Sequence, residues 1–342
     1  EYTDSEHQKY RVRDLMEDLF YSLGENEFCS IGQTQEYYDT LKQKFPNKYL
    51  SILWALKDCA IFSFIEDNFE KHPFFHSLIR ENSVERILRK EKYIIDNRKI
   101  SSCYRFSYEF SPKYAEEPIH IEFSFDINSA FQQRVFAIIG ENGVGKTQLI
   151  TALPLDLAKR RENLFAPQVP LYSKVIAVST SLYDSFDVPK NSVGFNYVYC
   201  GLACGKKDNK TILAPKELKL KLLQTTKTIN GRERAESLKN ILSPLYSADI
   251  ISALFTIQEE KIKVNQARLV EIVDYMSSGE SSLLFIFCNI VANIRYDSLI
   301  LFDEPETHLH PNAITSLMSS IYQLLDEYQS YAIIVTHSPL II

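Results

Sequence analysis

The sequence predicts an α/β protein: a head built on a mixed sheet, with a helical lobe within it and a helical region at the N-terminus. Three observations predict it. Apolar periodicity changes from helical to alternating near Ser102. A glycine-rich turn, Gly140 to Thr147, lies between a continuous apolar run and a helical pattern. Two further apolar runs, Ser298 to Asp303 and Tyr331 to Thr336, flank a helical segment at 312–328. Strand, helix, strand implies a parallel pair joined by a crossover.

Bulk properties set limits. The 342 residues suffice for two domains, and 45% apolar residues supply a core. A net charge of -6 argues against a protein coated in nucleic acid, though a local basic patch stays open. No apolar run approaches the ~18 residues of a membrane helix, and no signal peptide opens the chain. A cytoplasmic protein with no membrane partner is expected. The first residue is Glu1, so a piece of a longer chain is also expected. The six cysteines are scattered, and Cys200 with Cys204 lacks a second Cys/His pair for zinc, so reduced thiols are expected. Glycine is scarce at 10 residues, yet three fall in the eight-residue turn, where the backbone must do something unusual.

In chain order, residues 1–100 read as a helical domain of unknown role and 101–342 as the head. Tyr10 to Leu23 places Leu15, Leu19, Phe20 and Leu23 on one side of a helix. Tyr49 to Phe69 is a second helical stretch, ended at His72-Pro73. His72 and His76 are four apart, but Pro73 between them argues for a structural role. Tyr104 to Phe110 and Ile119 to Phe125 alternate as two strands. Arg134 to Gly140 is continuous apolar sequence, as in a strand buried on both faces. Lys146 opens a helix that Pro154 bends or ends. Lys174 to Ser179 is a further buried strand. Residues 205–275 read as helical and polar. Within them Lys206 to Arg234 carries nine Lys/Arg against three acids. A solvated, mobile insert is expected there; the sharper alternative is a patch touching nucleic acid or an acidic partner.

Four motifs carry chemistry. In Gly140-Glu141-Asn142-Gly143-Val144-Gly145-Lys146-Thr147 the glycines let backbone N–H groups curl around phosphates at a helix N-terminus. Lys146 would bridge the β- and γ-phosphates of ATP, and Thr147 would place its hydroxyl on Mg²⁺. Asp303-Glu304 ends an apolar strand, putting carboxylates at the sheet edge where ligands bind. Asp303 would hold hydrated Mg²⁺, and Glu304 would polarise the attacking water. Ser277-Ser278-Gly279-Glu280 begins an apolar helix, with Ser277 its N-cap and the helix start an anion site. His337 stands at the tip of the next strand, within reach of a γ-phosphate.

The order of these motifs resembles the ABC class of ATPases, in its soluble SMC-like branch. Gly140 to Thr147 resembles the Walker A, Ser277 to Glu280 the signature, Asp303-Glu304 the Walker B and His337 the switch histidine. Asp303-Glu-Pro-Glu-Thr-His-Leu-His-Pro311 resembles the run of OLD-type and bacterial anti-phage ATPases such as those of Septu or retron systems. The resemblance spans about 102–342 and implies an ABC-type P-loop NTPase head. It further implies that two heads close face to face, each ATP lying between one P-loop and the partner's signature, with Ser277 and Gly279 acting in trans. Glu306 to Pro311 would form the D-loop region. Val175 to Phe186 occupies the Q-loop position without a Gln, leaving Ser179 or Asp184. There are departures. No heptad arms separate Walker A from the signature, no membrane domain is present, and the ABC core normally continues beyond the residues after His337, so further chain is expected downstream. The expected function is an ATP-binding and ATP-hydrolysing subunit of a prokaryotic anti-phage complex, gating a partner nuclease. A DNA-repair ATPase and a slow-turnover scaffold are the alternatives.

Overall fold

The computed structural model describes residues 20–24, 27–69, 105–113, 117–125, 133–141, 143–170, 172–179, 196–201, 214–258, 260–307 and 309–341, with short pieces at 2–3, 9–10, 78–79, 84, 87–88, 186, 189, 203–204 and 211–212. The chain divides into two compact units, Glu1–Lys92 and Tyr93–Ile342.

The first unit holds helices α1 (Gln35–Lys44), α2 (Tyr49–Ala55) and α3 (Ser63–Phe69). The helix expected over Tyr10 to Leu23 is not borne out at its ends. Tyr10 lies in a two-residue strand paired with Tyr2–Thr3, and Phe20 to Leu23 are not helical. The stretch from Tyr49 to Phe69 breaks after α2, because Lys57 takes a left-handed φ of 54° and Asp58 caps the turn that follows. Asp58 Oδ2 accepts from Tyr38 Oη at 2.8 Å, and Oδ1 accepts from the N–H groups of Ala60 (3.0 Å) and Ile61 (3.2 Å). His72 and His76 lie outside the described residues.

Burial outweighs these donors and raises the Asp58 carboxyl to about 6, against ~3.9 for an unfolded Asp. Between those values the folded state keeps a proton that the unfolded chain has lost. The stability this contributes is complete below about pH 4 and is lost as pH rises through about 6. Trp54, the single tryptophan, sits in this unit with the Lys57 ammonium 4.2 Å from its ring centre, so its fluorescence reports on the unit's unfolding. The denaturation midpoint followed at Trp54 should fall between about pH 4 and pH 7, and Asp58→Asn should flatten that slope. A slope identical in the two proteins would rule the assignment out.

The second unit is organised by a five-stranded parallel sheet. Its strands are β3 (Val135–Ile139), β5 (Val175–Ser179), β6 (Tyr197–Gly201), β9 (Leu299–Asp303) and β10 (Tyr331–Thr336), in the order β3-β10-β9-β5-β6. A separate antiparallel sheet joins β1 (Arg105–Phe110) to β2 (Ile119–Ser124) and to the short β4 (Phe165–Ala166). The mixture expected in one sheet is thus divided between two. Continuous apolar strands need cover on both faces, and they have it. Ile176, Val178, Ile300, Phe302, Ala332 and Ile334 face a core shared with helices α6 (Ala235–Leu242), α9 (Ser278–Asn293) and α10 (Pro311–Glu327). The alternate residues Val175, Ala177, Leu299, Leu301, Ile333 and Val335 face a second core with α4 (Lys146–Ala158) and aromatic rings of β1 and β2.

Two expectations need correction here. Val135–Ile139 is not buried on both faces: it is the edge strand, half-covered, with Ile139 50% exposed. Pro154 does not end α4, which runs on to Ala158. Pro154 has no N–H to give the Ile150 carbonyl, but it and its neighbours Leu153 and Leu157 are buried, and that packing carries the helix through.

The lobe between Pro215 and Val273 is also not the mobile insert expected. It comprises α5 (Pro215–Gly231), α6, α7 (Ala248–Leu254), a hairpin of β7 (Phe255–Gln258) and β8 (Lys261–Val264), and α8 (Gln266–Val273). Leu222, Ile229, Leu238, Ile241, Leu242 and Leu254 are buried against α9 and the sheet, each worth about 1.5–3 kcal/mol. Much of its basic charge is spent internally. Arg232 donates to the Ala292 carbonyl, and Arg234 Nη1 donates to Val291 O (2.9 Å) and Ile294 O (2.8 Å). Both guanidinium groups therefore close the C-terminus of α9, where unpaired carbonyls and the helix dipole favour cations. Lys219 pairs with Asp274, and Lys221 lies 5.4 Å from the Phe285 ring centre. Lys216 and Lys227 are exposed, and Lys206, Lys207 and Lys210 lie outside the described residues.

Candidate functional site

Strand register brings the motifs to one edge. Thr336 pairs with Ile139, and Asp303 pairs with Val335 and Ser179. Gly140 and His337 follow the Ile139–Thr336 pair directly, and Glu304 follows Asp303, one row earlier at the same sheet edge. Gly143 (φ 87°) and Gly145 (φ 95°) are left-handed, a conformation other L residues adopt at a cost. A Cβ on Gly143 would meet nothing within 4 Å, so backbone conformation rather than space demands glycine there. Gly145 is the N-cap of α4, and its carbonyl accepts from the Leu149 N–H at 2.9 Å. Lys146 is 8% exposed and curls over the loop, its Nζ donating to the carbonyls of Gly140 (2.8 Å) and Glu141 (2.9 Å). Asn142 lies outside the described residues, and Val144 is exposed at the loop tip.

Thr147 Oγ1 lies 3.4 Å from Asp303 Oδ1. Glu304 holds a left-handed backbone (φ 47°), its N–H donating to Val335 O at 2.9 Å and its carbonyl accepting from Thr307 N at 3.1 Å. Its Oε1 is 3.0 Å from His337 Nε2, and His337 Nδ1 is 3.5 Å from Lys146 Nζ. A carboxylate on Nε2 and an ammonium near Nδ1 assign the tautomer with the proton on Nε2. Lys146, Thr147, Asp303, Glu304 and His337 thus form one connected cluster.

Ser277 and Gly279 are not hydrogen-bonded to that cluster among the described residues. Ser277 caps α9 as expected. Its Oγ accepts from the Glu280 N–H (3.3 Å), and the Glu280 carboxylate accepts from Ser277 N (2.9 Å) and Oγ (2.7 Å). This reciprocal box, with the Ser-x-x-Glu spacing that announces it, was missed in the sequence. Tyr246 Oη donates to the Glu280 carbonyl at 2.7 Å, tying the start of α9 to the lobe. Ser277 and Ser278 are exposed and Gly279 half-buried at the surface.

A family model described as "AAA domain, putative AbiEii toxin, Type IV TA system" matches residues 154–342. The chain belongs to this AAA family. It is also similar to protein ea59 of Escherichia phage lambda, 25% identical over 351 aligned positions, covering 92% of this chain and 66% of the relative, so it spans under two thirds of that protein's length. Among solved structures it is similar to cbiO1 of Clostridium perfringens, part of the ABC transporter complex cbiONQ, at 15% identity, 69% of this chain, 79% of that one and a TM-score of 0.34. It is also similar to an Smc head bound to the C-terminal winged-helix domain of ScpA, at 14% identity, 70% of this chain, 90% of that one and a TM-score of 0.32.

This AAA-family chain sets a P-loop, a carboxylate pair and a histidine on the edge of a parallel sheet, accompanied by an antiparallel sheet and a helical lobe. Its residues fit Mg²⁺ shared with phosphates. Among the described residues no group of three or more His, Cys, Asp or Glu could by itself hold a metal. The Thr147 hydroxyl beside the Asp303 carboxylate is the sparse oxygen set that Mg²⁺ uses when phosphates and waters complete its shell. Of the Q-loop candidates, Ser179 is buried at the end of β5 and Asp184 lies outside the described residues. Burial pushes the Cys200 and Cys288 thiols up to about 12, which makes both unreactive. Among the described residues no helix is long and apolar enough to cross a membrane.

Proposed function

We propose that this chain binds MgATP and hydrolyses it between two copies of the head, and that it serves as the cytoplasmic ATPase subunit of a prokaryotic anti-phage complex that gates a partner nuclease. One observation carries the catalytic part. Lys146, Thr147, Asp303, Glu304 and His337 converge at one sheet edge, while Ser277 and Gly279 present a capped helix start outside that cluster. Lys146 exchanges its loop carbonyls for β- and γ-phosphate oxygens. Thr147 and Asp303 would hold Mg²⁺, which would supply charge neutralisation to the phosphates. Glu304 takes a proton from the attacking water, and His337 Nε2–H donates to that carboxylate and fixes its orientation. Ser277 and the N–H groups of Ser278 and Gly279 meet the phosphate of the other copy. The defence role is supported by the family's description as a toxin of a type IV toxin–antitoxin system. Direct nucleic-acid binding through Lys206–Arg234 has less support, since Lys219, Lys221, Arg232 and Arg234 are engaged within the lobe.

Mixing tests the shared site. Lys146→Ala loses the P-loop of its own copy and keeps its signature; Ser277→Arg does the reverse. Each variant alone should be inactive, and an equimolar mixture should regain ATP turnover, because a mixed pair contains one intact composite site. A mixture as inactive as its components would defeat completion in trans.

A further inference from the structure

We propose that Glu306 is the positioning residue for His337. This rests on the hydrolytic reading above. The ladder of β10 ends at Thr336, so the N–H groups that follow have no strand partner. The Glu306 Oε1 collects them. It accepts from Thr336 Oγ1, from His337 N at 3.1 Å and from Ser338 N at 3.3 Å, while Ser338 N also reaches Thr336 Oγ1 at 2.8 Å. Convergence of several donors on one oxygen suits a carboxylate better than an amide, since charge-assisted bonds are the stronger ones.

The consequence for His337 is a two-point hold. Glu304 and Glu306 flank Pro305 in the turn after β9, whose Thr307 N–H donates to Glu304 O. Glu306 grips the histidine's backbone and Glu304 its ring, at Nε2. The turn that carries the proposed water-activating carboxylate therefore also fixes where the imidazole stands relative to it and to Lys146. Glu306 touches neither nucleotide nor water in this role; it acts through His337.

A double-mutant cycle separates this from a merely structural role. Glu306→Ala should lower kcat by about 10–100-fold, the scale of an angstrom-sized misplacement, with the KM for MgATP changed far less. Glu306→Gln keeps an acceptor oxygen and should lose only a few-fold. On a His337→Ala background, Glu306→Ala should cause no further loss. The ¹⁵N resonances of the His337 ring should also shift in Glu306→Ala without ATP, which reads positioning independently of turnover. Wild-type protein that does not hydrolyse ATP would defeat the hydrolytic reading and leave Glu306 to be judged on those resonances. Unchanged resonances, or losses that multiply on the His337→Ala background, would overturn the proposal. If Glu306→Ala does not fold, the smaller Glu306→Gln effect is tested in the same cycle.

Discussion

Lys146→Ala is expected to weaken ATP binding by about 25-fold or more. Removing one member of a buried charge-assisted contact costs about 2–5 kcal/mol, and tenfold in affinity corresponds to ~1.4 kcal/mol. The fold should be untouched. The partners left behind are the Gly140 and Glu141 carbonyls at the rim of the site, with Glu141 exposed, so water replaces the ammonium there. Calorimetric titration and thermal melting check both halves. ATP should raise the melting temperature of the wild type and leave that of the variant where it was. A variant that binds ATP normally would mean that the loop is not the phosphate site.

Glu304→Gln is expected to leave ATP binding intact and to cut hydrolysis by about 10²–10⁴-fold, the usual contribution of a positioned general base. Glutamine retains an oxygen that accepts from His337 Nε2, so the cluster keeps its shape while the base is lost. Head pairs formed with ATP should then persist, since the reaction that would open them is slowed. Single-turnover kinetics and light scattering with MgATP measure the two effects. Normal turnover in this variant would place the base elsewhere.

The legible parts of the site were those where local chemistry is restrictive. Gly143 and Gly145 need left-handed backbone, so their positions announce the loop before any contact is known. The apolar run ending in Asp303 marks a strand covered on both faces and hence the edge where its carboxylate emerges. Other parts depend on partners distant in sequence. Nothing local says that Arg232 and Arg234 turn inward to the carbonyls of α9, so their stretch reads as solvated charge. The β7–β8 hairpin has Glu260 left-handed at φ 62° before Lys261, with no Gly or Asn in the sequence between the strands to mark it. Its period-2 pattern at Lys261–Val264 was the available signal. The link from Glu306 to 336–338 spans 30 residues and exists only because the crossover through α10 returns the chain beside β9. In the first unit the break after α2 has neither Gly nor Pro, and Asp58 sustains it.

The backbone of Glu304 has a wider consequence. A left-handed residue other than glycine costs about 1–3 kcal/mol, and the position precedes Pro305, where extended conformations are favoured. Glycine at 304 would relieve that strain and leave no carboxylate. Heat resistance and turnover therefore pull in opposite directions at this one residue. Variants selected for thermal survival alone would drift toward a sturdier protein that binds nucleotide and does nothing with it.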